Sequence, residues 1–155
     1  MSYPLRIHTV SIEAPLDRVT SFLADPRNFP AWAAGLSSTL APGASASGVE
    51  KNHWVVETPA GRITIRFSAP NLFGVADHWV RLPDGTVVYV PLRAVANGEG
   101  TEVSLTLFRL PQMDDARFEA DSAAVEQDLA ALRQCFSTAQ HGASGPRPIP
   151  VPHPR

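Results

Sequence analysis

"SIEAPLDRVTSFLADPRNFPAW", Ser11 to Trp32, changes pattern three times within one short stretch. It opens on the end of "RIHTVSIEA" (Arg6 to Ala14), whose alternation and β-branched residues predict a strand. Pro15 then suits the first turn of a helix, and Val19, Phe22 and Leu23 form an apolar stripe along it. "DPRNFPAWAAG" begins again, with Asp25 as N-cap and Pro26 at the first position of a second helix. Pro30 and Gly35 keep that helix short.

Downstream, from Leu36 to Leu110, strand follows strand. The segments are "LSSTLAP", "EKNHWVVET", "RITIRFSAP", "GVADHWVRL", "TVVYVPLRAVA" and "TEVSLTLFRL". The connections "PGASASG", "PAG", "NLF", "PDG" and "NGEG" carry turn chemistry and are short, which implies antiparallel neighbours. Then the period lengthens. Phe118, Ser122, Val125, Leu129, Leu132 and Phe136 recur at spacings of three and four, which predicts a long amphipathic helix. Asp114 is its N-cap, and Met113 and Phe118 occupy the positions of a hydrophobic staple. The remainder, residues 137–155, is a Pro- and Gly-rich tail, so the folded domain is expected over residues 1–136. A polyproline ligand within "PRPIPVPHPR" is the alternative reading of that tail.

One strand, two short helices, six strands and a long helix make an α+β chain. A seven-stranded antiparallel sheet must bury one face, and the long helix is the only large element available to cover it.

Composition narrows the function classes. The chain has 155 residues, of which 44% are hydrophobic and 18% charged, enough for one globular domain with its own core. A net charge of −2 leaves no basic footprint for nucleic acid. Cys135 is the single cysteine, so neither an internal disulfide nor a cysteine-based zinc site is expected. No HExxH, CxxC, P-loop, GxGxxG or GxSxG occurs, so no metal or cofactor is expected. The N-terminus lacks a signal-peptide apolar core and no segment is apolar for long enough to span a membrane, so a cytoplasmic protein is expected.

With "SIEAPLDRVTSFLADPRNFPAW" near the start and "AAVEQDLAALRQCF" at the end, the chain resembles the START-like SRPBCC superfamily over about Leu5 to Phe136. That superfamily includes polyketide cyclases, Bet v 1 allergens, START lipid-transfer domains and coenzyme Q-binding proteins. The resemblance implies a helix-grip fold, a curved sheet around the C-terminal helix with a cavity between them. It does not imply one activity.

Turn geometry predicts which residues face that cavity. With Asp84 and Gly85 as a two-residue hairpin loop, Trp79 faces Val90 and Asp77 faces Leu92. With "NGEG" as a four-residue loop, Leu92 faces Leu105 and Ala96 faces Thr101. With Pro59 and Ala60 in the loop, Trp54 faces Ile65 and Val56 faces Ile63. The expected ligand-binding wall is then Trp54, Ile65, Phe67, Trp79, Val90, Leu92, Leu105 and Leu107, with Val125 and Leu129 from the helix. Asp77 points inward and His78 outward, beside Tyr89 and Arg93, and a one-residue slip would exchange them.

Few polar residues share the inner face. Asp77, His8 and Arg81 are the catalytic candidates, with Asp77 as a proton shuttle and His8 or Arg81 orienting it. The structural alternative is that Asp77 pairs with Arg81 or a tryptophan N–H and pins the sheet. His8 also suits a satisfied structural role. Trp32 is expected either to guard the cavity mouth or to pack its helix, and Cys135 to be a buried thiol. The expected function is binding of a small hydrophobic ligand, polyketide- or lipid-like, with cyclase- or dehydrase-type acid/base chemistry as an option. A non-catalytic carrier is the alternative. So is an interaction protein that forms a homodimer through the outer face around Tyr89, Pro91, Arg93, Thr106 and Phe108.

Overall fold

The computed structural model describes residues 1–33, 40–43 and 52–137. Strand β1 (Leu5–Ile12) leads into helix α1 (Leu16–Ala24) and a 3-10 helix (Pro26–Ala31). Seven further strands follow: β2 (Leu40–Pro42), β3 (His53–Thr58), β4 (Gly61–Phe67), β5 (His78–Arg81), β6 (Val87–Val90), β7 (Leu92–Asn97) and β8 (Gly100–Phe108). Helix α2 (Asp115–Ser137) closes the described chain. Of the strand expected at 36–42, residues 36–39 lie outside the described residues, as do the rest of "PGASASG" after Gly43 and the tail from 138.

Local chemistry explains the helix ends. The Asp25 carboxylate accepts the Arg27 backbone N–H at 3.0 Å, starting the 3-10 helix. The Asp114 carboxylate accepts from the Arg117 N–H at 2.8 Å and caps α2. Phe118, Ser122, Leu129, Leu132 and Phe136 of α2 are buried, and Val125 is half-buried, as the three-four spacing predicts. Phe136 meets Phe22 of α1 edge-on, with ring centres 5.1 Å apart.

Every strand pairing is antiparallel, but there are eight described strands in two sheets, not the seven in one sheet expected. The orders are β1-β8-β7 and β2-β3-β4-β5-β6. The difference arises at Pro91, which divides the expected strand "TVVYVPLRAVA" into β6 and β7. Proline has no N–H to give to a ladder.

Two ladders run in the expected register: Leu92↔Leu105 and Ala96↔Thr101 between β7 and β8, and Trp54↔Ile65 with Val56↔Ile63 between β3 and β4. Glu57 and Arg62 meet on the outer face at 2.7 Å. The β5–β6 hairpin does not follow expectation. Trp79 faces Tyr89 and His78 faces Val90, a slip of one residue. The loop holds three residues, Pro83 to Gly85: the Leu82 carbonyl accepts the Gly85 N–H at 2.9 Å, and the Thr86 carbonyl accepts the Leu82 N–H at 2.8 Å. Gly85 sits at φ 87°, the left-handed position that such a loop requires. A two-residue loop would have put Pro83 in the last ladder position, where an N–H is needed.

The slip turns over all of β5. His78 and Val80 face the helix side, opposite Val90 and Val88, while Trp79 and Arg81 face out. Trp79 stacks on Tyr89 at 5.1 Å and carries the Arg66 guanidinium over its ring at 4.3 Å.

Candidate functional site

The interruption at Pro91 builds the site. Ahead of β5, Val75 bridges to Arg93, and the Leu92 carbonyl accepts the Ala76 N–H at 2.9 Å. Gly74 (φ 70°) lies so close to β7 that a Cβ there would stand 2.0 Å from the Ala94 carbonyl oxygen. The register is thus continuous from His78↔Val90 to Val75↔Arg93, and it places Asp77 opposite Pro91. There the Asp77 carboxylate acts in place of the ladder. Oδ1 accepts the Leu92 N–H at 3.0 Å and pairs with Arg93, and Oδ2 accepts the Tyr89 hydroxyl at 2.7 Å. Asp77 is 5% exposed, and a carboxylate so buried needs these partners. Its partner is Arg93, not Arg81 as expected. Arg81 is on the outer face, in a groove it shares with His53, Thr64, Arg66 and Trp79.

Beyond Pro91 the sheets part. The Pro91 carbonyl accepts the Thr106 N–H at 3.0 Å, after which, among the described residues, β6 pairs only with β5. Behind this seam lies a cavity of about 170 Å³. Val88 and Val90 line one side, Leu105 and Leu107 the other, Val125 of α2 the back, and Phe29 and Trp32 the end nearest the 3-10 helix. Tyr89 and Phe108 flank the seam with their rings 6.3 Å apart.

His78 is the most buried polar group on this wall, at 5% exposed. Phe29 and Phe67 pack against its ring at 5.3 and 5.8 Å. Burial pulls its pKa from 6.5 down to about 4, so the ring is neutral at pH 7. Because Asp77 takes the Leu92 N–H, the Ala76 carbonyl is left to His78 Nδ1, at 3.4 Å.

His8 is inward on β1, as its parity predicts, but is separate from the cavity. Its Nε2 faces Ser122 Oγ at 3.1 Å and its Nδ1 faces Glu126 at 3.5 Å. Arg6 donates to the same Ser122 at 3.1 Å and pairs with Glu119, so the cluster ties β1 to α2. A groove of about 390 Å³ runs along this edge. The catalytic candidates Asp77, His8 and Arg81 therefore occupy three different surroundings.

Of the expected ligand wall, Val90, Leu105, Leu107 and Val125 line the cavity. Phe67 stands behind His78, and Ile65, Leu92 and Leu129 are buried in the core. Trp54 is half-buried in β3, and Trp79 is on the outer face. The wall also includes His78, Val80 and Val88, which the expected register left out or did not single out. "PDG" was the signal that could have found His78, because proline before Asp-Gly suits a three-residue loop. Trp32, buried at 4% exposed, lines the cavity end. Burial pushes the Cys135 thiol up, away from the reactive thiolate. Among the described residues no His, Cys, Asp and Glu group could hold a metal ion, and no helix is long and apolar enough to cross a membrane.

No protein-family model matches the sequence, and no curated protein matches it. Solved structures do match its fold. XoxI from Bacillus cereus is 14% identical with a TM-score of 0.66, covering 91% of this chain and 99% of that one. A START superfamily protein from Mycobacterium smegmatis is 13% identical with a TM-score of 0.60, covering 87% and 98%. DynU16, encoded in the dynemicin biosynthetic locus, is 17% identical with a TM-score of 0.65 over 87% of this chain, which spans 48% of DynU16. The chain has the helix-grip fold of the START-like proteins.

Proposed function

We propose that this helix-grip chain binds a small apolar or aromatic ligand in the cavity behind the β6–β8 seam, and that it acts as a carrier. The observation that carries the reading is the cavity of about 170 Å³, walled mainly by aliphatic and aromatic side chains with a few polar groups among them. That is the usual make-up of a small-molecule site. The carrier reading is favoured over acid/base chemistry by the surroundings of Asp77. Both of its carboxylate oxygens are already engaged, by Leu92, Tyr89 and Arg93, and a proton shuttle needs an oxygen within reach of the reacting group.

Leu105 tests the site, being 4% exposed and on the cavity wall. Leu105→Trp fills the space at an overpacking cost of about 1–3 kcal/mol. An environment-sensitive apolar dye should bind the parent protein and lose roughly tenfold or more in affinity in the variant, with the circular dichroism spectrum retained. Unchanged dye affinity in a folded Leu105→Trp protein would place binding elsewhere on the surface.

A further inference from the structure

His78 is a buried polar group in the cavity whose hydrogen bonding is incomplete. Its Nδ1 faces the Ala76 carbonyl at 3.4 Å, a contact only an N–H can make favourably, so the proton belongs on Nδ1. Nε2 is then a bare acceptor. Among the described residues it has no hydrogen-bond partner, although no fully enclosed side-chain polar atom lacks one. Nε2 therefore opens on the cavity that His78 lines. An acceptor facing an apolar space is costly until a donor reaches it.

The rest of the wall narrows the donor. Among the described lining residues there is no lysine or arginine, and there is Asp128, so an anionic ligand would find no counter-charge on them. Engineered apolar cavities of roughly 150 Å³ hold one benzene ring, so about 170 Å³ suits a single ring or a compact fused pair. Phe29 and Trp32, edge-on to each other at 5.1 Å, give it an aromatic end wall.

We infer that His78 sets ligand specificity: the cavity takes a neutral hydroxylated aromatic, a phenol or stable enol, whose O–H donates to Nε2 while its ring packs between the 3-10 helix and α2. This rests on the binding reading above and adds its chemical class. The neutral form matters because an ionised hydroxyl would set two acceptors against each other.

Three probes of similar size test it by calorimetry at neutral pH: 2-naphthol, naphthalene and 2-methoxynaphthalene. The protein should prefer 2-naphthol to the other two by roughly tenfold, the worth of one net buried hydrogen bond. In His78→Phe, which keeps a ring against Phe29 and Phe67, the preference should vanish while naphthalene still binds. Nitrogen-15 NMR of the parent protein gives a second readout that needs no variant. The Nε2 resonance should move toward that of a hydrogen-bonded acceptor with 2-naphthol and stay in place with naphthalene. Equal affinity for all three probes, a preference that survives His78→Phe, or an unmoved Nε2 resonance with 2-naphthol bound would overturn the assignment of His78 and leave the cavity intact as a site. Failure of every probe to bind the parent protein would overturn the binding reading, and this one with it.

Discussion

Asp77 and His78 are neighbours in sequence, and they have opposite tasks. Asp77 takes the Leu92 N–H beside Pro91, in place of the Ala76 carbonyl, and draws Tyr89 and Arg93 to the same point. Asp77→Ala should cost about 2–4 kcal/mol, since it leaves the Leu92 N–H and the Arg93 guanidinium without their acceptor. Urea unfolding measures it, and a cost below 1 kcal/mol would show that the clamp is dispensable. His78 acts through burial. Its folded pKa of about 4 lies below the ordinary 6.5, so between those values the unfolded chain binds a proton that the folded chain refuses. The stability that goes with the neutral ring is whole above about pH 6.5 and is lost as pH falls toward 4, by on the order of 3 kcal/mol. Asp25 and Glu119, held low by Arg27 and Arg6, lose their contributions as pH falls below the ordinary carboxylate values, at the acid end of this range and beyond it. Urea midpoints measured from pH 7 to pH 4 should fall in the parent and flatten in His78→Phe. A parent curve without that fall would mean that the ring is solvated.

At the scale of elements, capping and turn chemistry decide where each one stops. The Asp114 carboxylate meets one of the orphan donors at the start of α2, so Asp114→Ala should cost about 1 kcal/mol. A small fall in melting temperature without change in dye affinity is the expected outcome, because α2 contributes to the cavity through Val125, more than two turns further on. The β5–β6 hairpin shows how much one loop residue governs. Three residues between Leu82 and Thr86, where two were expected, turn His78 and Val80 inward and Trp79 and Arg81 outward. The period of a strand is two, so its pattern alone cannot detect a slip when both faces carry large apolar side chains. In "DHWVRL" both faces do.

At the scale of the whole molecule, a ligand in a cavity formed by both sheets and α2 stabilises all of them together. At a hundred times its Kd, 2-naphthol should raise the melting temperature by roughly 5–10 °C in the parent and by about half of that or less in Leu105→Trp. An equal rise in both proteins would trace the effect to the surface. The elements that make this assembly were legible along the chain. The apolar stripe from Phe118 to Phe136, the caps at Asp25 and Asp114, and the alternation of β1 and β8 are properties of neighbouring residues. Composition and period report such properties without reference to the rest of the fold. The β7–β8 and β3–β4 registers were legible for the same reason, because short connections tie each pair locally. The cavity was not. It exists because Pro91 opens a seam between β6 and β8, and its polar group is there because Asp77, fifteen residues before Leu92, takes the N–H that would otherwise have met the Ala76 carbonyl. Hydrogen-bond partners so far apart in sequence are chosen only when the strands meet, so the sequence by itself determined the helix grip, and the tertiary structure decided what it holds.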